Sequence, residues 1–133
     1  MKNIKNDLIV RKDDYEILVS FLRSGHYKYG FDRRNAEELH IELKKARLLS
    51  KEQFPADVVR LNSKVRVKED KTDKIMELIL VTPDKANIKE GKISVMAPIG
   101  TALIGFRQGQ KVKWQVPSGK KTFTIMEVYN HFE

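Results

Sequence analysis

Residues 91–128, GKISVMAPIGTALIGFRQGQKVKWQVPSGKKTFTIMEV, decide the fold. Residues 92–95 start a strand, and Pro98 suits the first position of a short helix, which carries an apolar face and ends before Gly109. Residues 111–116 alternate polar and apolar side chains, the Pro-Ser-Gly run at 117–119 predicts a hairpin turn, and residues 122–128 form the returning strand. This order predicts one helix packed on an antiparallel sheet. The apolar face of the helix consists of Ile99, Ala102, Leu103 and Phe106.

Two further strands are predicted upstream of this stretch. Residues 63–68 alternate as a half-buried strand, and residues 75–81 are almost continuously apolar. With the later strands they make an α+β domain over residues 54–133.

The first third of the chain, residues 1–53, has a helical period instead. One helix is predicted from Asp13, with acidic residues in its first turn, and a second runs from Asp32 or Arg33 to Leu49. We expect the two to pair as a short antiparallel coiled-coil hairpin; helices that simply cover the sheet are the alternative. The apolar stripes are Ile17, Leu18, Phe21 and Leu22 in the first helix, and Ala36, Leu39, Leu43 and Ala46 in the second.

The charge balance indicates an anionic partner. The chain has 26 Lys and Arg against 18 Asp and Glu, a formal net charge of +8. This excess suits nucleic acid or the acidic surface of a nucleic-acid enzyme, although solvated lysine faces are an equally simple explanation. The absence of cysteine excludes disulfides and thiolate sites, and without a long apolar run a soluble cytoplasmic protein is expected.

No motif in the chain predicts catalysis. The three histidines, His26, His40 and His131, are too widely separated in sequence for a metal-binding pair. The serines and glycines match neither a nucleophile elbow nor a phosphate-binding loop. We therefore expect no catalytic residue, no metal, no cofactor and no enzyme activity.

The ordered set ISVMAPIGTALIG at 93–105, Gly109 and the Pro-Ser-Gly turn resembles the C-terminal domain of the Gre transcript-cleavage factors (GreA/GreB). With PADVV at 55–59, LNSKV at 61–65 and a short helical N-terminus, the fuller chain more closely resembles the regulators of nucleoside diphosphate kinase (Rnk) in that superfamily. The resemblance implies an FKBP-like C-terminal domain that docks at the rim of the secondary channel of bacterial RNA polymerase. It also implies an N-terminal hairpin directed into that channel.

The resemblance further implies a docking segment at residues 96–100. Its candidate residues are Met96, Ala97, Pro98, Ile99 and Gly100. Gre factors usually have serine at the position of Ala97. The alternative is that Pro98 and Gly100 build the turn into the helix while Ile99 belongs to the core.

The hairpin tip, residues 24–34, differs from the Gre pattern. In Gre factors two acidic tip residues help to hold a catalytic magnesium ion, whereas Asp32 is the one carboxylate in this stretch. We therefore predict a protein that competes with other channel-binding regulators without stimulating transcript cleavage. The tip residues could stack on bases, bind phosphates or a protein groove, or close the end of the hairpin. The tip candidates are Tyr27, Tyr29, Phe31, Asp32, Arg33 and Arg34.

Two other functions are compatible with the sequence, namely nucleic-acid binding and prolyl isomerase or chaperone activity. A basic nucleic-acid-binding protein would use the positive charge directly, and weak nucleic-acid contact is also compatible with polymerase binding. An FKBP-like prolyl isomerase or chaperone would need an aromatic apolar pocket, which could come from Phe106, Trp114, Phe123 and Tyr129. The sequence leaves open whether transcription is activated or repressed, the target promoters, the oligomeric state and whether the tip reaches the polymerase active centre.

Overall fold

The computed structural model describes residues 8–24, 30–116 and 119–130, with side chains described outside 24, 30–36, 38, 98 and 114–116. The strands are β1 (Ile9–Arg11), β2 (Arg47–Leu49), β3 (Lys64–Glu69), β4 (Ile75–Val81), β5 (Lys92–Ser94), β6 (Lys111–Val116) and β7 (Gly119–Tyr129). The α-helices are α1 (Lys12–Ser24), α2 (Gly30–Lys45) and α3 (Pro98–Leu103). Helices and a mostly antiparallel sheet confirm the predicted α+β class.

The main sheet has five strands in the order β5-β4-β3-β7-β6. The predicted bounds of β4 and β6 are confirmed, and β7 is longer than predicted at both ends. Strands β6 and β7 pair antiparallel from Lys111↔Thr124 to Val116↔Gly119, as a hairpin requires. Two of the three predicted turn residues, 117 and 118, lie outside the described residues.

One strand departs from the expected antiparallel arrangement. Strand β5 pairs with β4 in the parallel direction, with Leu80 opposite Ile93. The chain between them makes two 3-10 turns, Pro83–Lys85 and Ile88–Glu90, and returns far enough for Lys92, the first residue of β5, to lie opposite Ile79. A parallel pair needs such a crossover, and the length of this connection is what allows it.

The N-terminal third contains an element that the sequence pattern did not predict. The second helix ends at Lys45 instead of Leu49, and Arg47–Leu49 forms a strand parallel to Ile9–Arg11. The Arg47 amide donates to the Leu8 carbonyl at 2.8 Å, which is a partner outside the helix. Tertiary hydrogen bonding therefore replaces the last helical turn.

The helical hairpin and the sheet domain share one hydrophobic core. Leu18 of α1 and Leu39 of α2 are fully buried in the same cluster as Val59 and Leu103. Helices α1 and α2 contact each other, and α2 also packs on α3. The helices thus pair and cover part of the domain at the same time, so both packing interpretations hold at the base of the hairpin. The division into residues 1–53 and 54–133 stays a prediction.

None of the helices in the described ranges combines the length and the apolar character needed to cross a membrane.

Candidate functional site

The predicted docking segment, residues 96–100, spans the tight turn after β5 and the first turn of α3. The Ala97 amide donates to the Ser94 carbonyl at 3.0 Å, and the Met96 amide donates to the Ser94 hydroxyl at the same distance. The Thr101 hydroxyl donates to the Val95 carbonyl at 2.8 Å, and its amide donates to the Ala97 carbonyl at 2.9 Å. These bonds fix the turn that leads into α3, whose N-cap, Ala97, has no side-chain oxygen with which to cap the helix. Hydrogen bonds with Ser94 on one side and Thr101 on the other therefore fix the backbone of the segment.

Gly100 is required by close packing against this turn. A Cβ at this position would lie 2.1 Å from the Ser94 carbonyl oxygen and 3.0 Å from Leu80 Cδ1. Contacts this short to backbone oxygen cannot be relieved by a rotamer change. Gly100 thus lets α3 start directly above the end of β5.

The candidate side chains of the docking segment differ in exposure. Met96 is 5% exposed and Ile99 is 6% exposed, and both belong to the core cluster. Gly100 is also buried, whereas Ala97 is half-buried. The side chain of Pro98 lies outside the described side chains. A direct contact between this segment and a partner therefore cannot rely on Met96 or Ile99, which act by holding the turn.

The hairpin tip is described in part. Helix α1 ends at Ser24 and α2 begins at Gly30, so Tyr27 and Tyr29 fall outside the described residues. The other four candidates, Phe31, Asp32, Arg33 and Arg34, lie in the first turns of α2, where the backbone is described and the side chains are not. An acid at Asp32 is favourable there because the helix N-terminus carries a partial positive charge. The described structure does not bring the tip and the docking segment together.

A buried ion pair joins the hairpin to the sheet domain. Arg60 Nε donates to Asp14 Oδ2 and Arg60 Nη2 donates to Asp14 Oδ1, each at 2.8 Å. The Asp14 side chain is 2% exposed and that of Arg60 is 10% exposed. Burial raises the pKa of the Asp14 carboxyl, and the two hydrogen bonds from Arg60 offset part of that rise. A bidentate pair of this kind fixes orientation as well as distance.

Sequence reasoning missed this pair. Asp14 is one of the acidic residues in the first turn of α1, where the helix dipole alone is enough to explain an acid. The available signal was Arg60 itself, because an arginine within the apolar run 58–61 is a charge that enters the core only with a partner. The partner lies 46 residues away, which no local pattern reveals.

A second ion pair lies at the start of α1. Arg11 binds the Asp13 carboxylate through both Nε, at 2.8 Å, and Nη2. The pKa of Asp13 is lowered to about 2, chiefly by the hydrogen bond from Arg11 and also by the Asp14 amide, which donates to the same carboxylate. Strand β1 is thereby tied to the helix that follows it.

Gly105 brings the sheet domain against the N-terminal segment. It adopts φ +84°, and a Cβ there would lie 2.0 Å from Leu8 Cδ1. Leu8 is 2% exposed and belongs to the shared core. Together with the Asp14–Arg60 pair, this contact holds the base of the hairpin on the sheet domain, while the parallel pair β1–β2 joins the two ends of the hairpin.

Among the described residues, no group of three or more histidine, aspartate or glutamate side chains is arranged to hold a metal ion. His40 is exposed on α2, and His26 and His131 lie outside the described residues.

Comparisons with known proteins identify the family. Residues 54–130 match the family described as "Transcription elongation factor, GreA/GreB, C-term". The regulator of nucleoside diphosphate kinase from Escherichia coli K12 is 38% identical over 87 residues, 65% of this chain and 64% of that protein. The transcription elongation factor GreA from Amoebophilus asiaticus is 36% identical over 92 residues, 69% of this chain and 57% of its own length. The matched region thus spans less than two thirds of the length of each of these two curated relatives.

Solved structures agree with the sequence matches. The transcription elongation factor GreA/GreB from Nitrosomonas europaea superposes with a TM-score of 0.77 at 30% identity, covering 93% of this chain and 98% of its own. Gfh1 from Thermus thermophilus, at 21% identity and a TM-score of 0.51, shows likeness of fold alone. The matched proteins are named as transcription factors or as a regulator. Through its C-terminal domain, this chain belongs to the GreA/GreB family of transcription elongation factors.

Proposed function

We propose that this chain regulates transcription by binding bacterial RNA polymerase at the rim of the secondary channel, with its helical hairpin directed into the channel. The observation that carries the proposal is the match of residues 54–130, the whole sheet domain, to the GreA/GreB family. The site of action would be the cytoplasm, where the polymerase is found.

The seating of the hairpin supports this arrangement. A hairpin that enters a channel must keep a fixed direction relative to the domain that docks outside it. The buried Asp14–Arg60 pair holds α1 to the sheet domain, and the β1–β2 strand pair joins the two ends of the hairpin at its base. Orientation is thus established before binding, which lowers the entropic cost of entering the channel.

We further propose that the protein occupies the channel without stimulating RNA cleavage. Helices α1 and α2 have 13 and 16 residues, so they extend about 20 and 24 Å at 1.5 Å per residue. Asp32 is the one carboxylate in residues 24–34, and Arg33 and Arg34 follow it directly. A shared magnesium ion calls for several hard, negatively charged oxygen ligands, which this stretch does not supply.

The docking segment offers a direct test of the binding surface. Ala97 is half-buried at the start of α3, so Ala97→Glu adds a charge at the proposed contact, whereas Ala56→Glu adds the same charge at an exposed position on another loop. We expect Ala97→Glu to weaken binding to core RNA polymerase by at least about tenfold, since an unpaired charge in an interface is costly, and Ala56→Glu to leave binding unchanged. Equal binding of the two variants to core RNA polymerase would show that residues 96–100 are not part of the interface.

The central experiment is a pull-down of core RNA polymerase by the purified protein, with a Gre-type factor added as competitor. We expect retention that is lost as the competitor is added. No retention at low salt would refute polymerase binding, and retention insensitive to the competitor would refute the secondary-channel site. A stalled elongation complex tests the remaining claim, because stimulated cleavage of its RNA would refute the proposed lack of cleavage activity.

Direct nucleic-acid binding is the second candidate, favoured by the net charge of +8. Phosphate contacts release counterions, so this function requires binding to DNA or RNA that weakens steeply as salt increases. Titration of a labelled oligonucleotide without polymerase at two salt concentrations distinguishes it from the first proposal.

A further inference from the structure

A cavity of about 290 Å³ opens on the outer face of the main sheet, at the edge formed by β4 and β5. Its lining is mostly apolar and includes no residue of the docking segment or the hairpin tip. The lining residues are Asn62, Ile79, Val81, Lys85 and Lys92.

The strand register explains how this cavity forms. Ile79 and Val81 point to the same face of β4, because side chains alternate along a strand. Ile79 lies opposite Lys64 on β3 and opposite Lys92 on β5, so a lysine flanks it on either side. The 3-10 turn that ends at Lys85 closes the third side. The result is an aliphatic floor lined by Lys85 and Lys92, with Lys64 beside it on strand β3.

The charge of this rim is only partly neutralised within the chain. Lys64 Nζ lies 3.6 Å from Glu77 Oε1, and Glu77 is shared with Arg66, whose Nη2 is 3.2 Å from its other oxygen. Lys92 Nζ lies 3.1 Å from Glu90 Oε1. Such exposed pairs contribute little, so their lysines can exchange one carboxylate for another at small cost.

Lys85 differs from the other two lysines. It is exposed, and in the part of the chain that the structure describes it forms no ion pair. The neighbouring carboxylate of Asp84 accepts a hydrogen bond from the Thr82 hydroxyl at 2.6 Å. The positive charge of Lys85 therefore stays available at the mouth of the cavity.

Size and chemistry restrict what the cavity can hold. Its volume lies at the lower limit of small-molecule sites, which suits a single side chain better than a cofactor. An aliphatic floor gives a nucleobase no aromatic surface on which to stack, whereas it can bury a leucine or isoleucine. The lysine rim then selects carboxylates next to that apolar group.

From these contacts we propose that the lysine-rimmed cavity, formed by Asn62, Ile79, Val81, Lys85 and Lys92 with Lys64 beside it, binds an acidic protein segment that inserts one aliphatic side chain. Charge complementarity identifies this partner over an uncharged one. The proposal goes beyond polymerase docking, and its test needs no polymerase, so it can fail or hold independently of the proposed function.

The test uses three blocked pentapeptides titrated into the full-length ¹⁵N-labelled protein. Glu-Glu-Leu-Glu-Glu carries both features, Gln-Gln-Leu-Gln-Gln lacks the charge, and Glu-Glu-Gly-Glu-Glu lacks the apolar side chain. We expect the first peptide to shift the amide resonances of β4 and β5 and to bind at least about fivefold more tightly than either control, the ratio that about 1 kcal/mol produces.

Two charge reversals at exposed lysines complete the design. Lys85→Glu changes the cavity rim, and Lys71→Glu makes the same change in the turn between β3 and β4. Lys85→Glu should weaken binding of Glu-Glu-Leu-Glu-Glu at least about fivefold, while Lys71→Glu should leave it within about twofold. Both positions are exposed, so neither substitution threatens the fold.

Four outcomes would overturn the proposal: no shifts at β4 and β5 with the first peptide, binding of either control peptide as tight as that of the first, equal loss in both variants, or stronger shifts at these amides with a uridine pentanucleotide. The last outcome would assign the lysines to phosphate binding instead. Preferential binding of the first peptide together with selective loss in Lys85→Glu would establish the site.

Discussion

Substitution of Arg60 by methionine tests whether the buried ion pair seats the hairpin on the sheet domain. Methionine keeps the length and much of the apolar stem of arginine but removes the guanidinium. The side chain of Asp14, which is 2% exposed, then stays buried and loses both 2.8 Å hydrogen bonds from Arg60. The loss of stability comes more from leaving a buried carboxylate without its partner than from losing the attraction between the two charges.

The expected magnitude follows from that stranded charge. Breaking a buried pair by removing one partner costs about 3 to 5 kcal/mol of unfolding free energy. With a urea dependence of about 2 kcal/mol per molar, the denaturation midpoint should fall by about 2 M. The double variant Asp14→Leu, Arg60→Met removes both charges, and we expect it to recover at least half of the loss.

Urea denaturation followed by far-ultraviolet circular dichroism at pH 7 provides the measurement. Arg107→Met is the matched control, because Arg107 pairs with Asp57 at 3.4 Å while both side chains are about half exposed. Its cost should stay below about 1 kcal/mol. A loss below about 1 kcal/mol for Arg60→Met as well, at an unchanged urea dependence, would show that the Asp14–Arg60 pair is not buried between the hairpin and the sheet domain in solution.

The pH dependence of the same variant supplies a second check. Burial already raises the pKa of Asp14, and removal of Arg60 removes the group that opposes this rise. A raised carboxyl pKa means that the folded state binds the proton more tightly, so stability falls as pH increases from the unfolded value through the folded one. We expect the penalty of Arg60→Met to be smaller at pH 5 than at pH 8, and the opposite trend would contradict the burial argument.

Two further substitutions test the contacts around the hairpin base. Gly105→Ala should lower the unfolding free energy, measured by thermal or urea denaturation, by about 2 to 4 kcal/mol, because the new Cβ would lie 2.0 Å from Leu8 and φ is +84°. Gly109→Ala, at φ +94° but with open space around the Cβ, should lower the unfolding free energy by about 1 kcal/mol. Equal losses in the two variants would mean that the contact with Leu8 does not contribute to the cost of Gly105→Ala. Asp13→Asn should lose less than about 1 kcal/mol at pH 7, since Asp13 is 56% exposed. Its folded pKa of about 2 lies below the ordinary 3.8, so the contribution of the Arg11 pair disappears as pH falls between these values. If Asp13→Asn lowered the unfolding free energy as much at pH 2 as at pH 7, the ion pair could not be the cause of the loss.

The sheet domain could be predicted closely from local pattern. Residues 75–81 and 111–116 have the same bounds in sequence and structure, and Pro98 does begin a helix. These elements carry their own signals, namely the two-residue period, the turn residues and a proline suited to a helix start. For the candidate site, the sequence also supplied the alternative in which Ile99 belongs to the core, and burial places it there.

What the sequence determined by itself is therefore the family, through its resemblance to the Gre factors, together with the α+β class and the order of the elements in the sheet domain, since periodicity and turn chemistry are local properties. The tertiary structure alone decided the parallel strand at Arg47–Leu49, the parallel pairing of β5 and the Asp14–Arg60 pair. It also decided that Lys85 and Lys92 line one mostly apolar cavity, with Lys64 on the neighbouring strand. Each of these depends on partners far apart in the chain, and their pairing becomes favourable only when the shared core brings them together and excludes water.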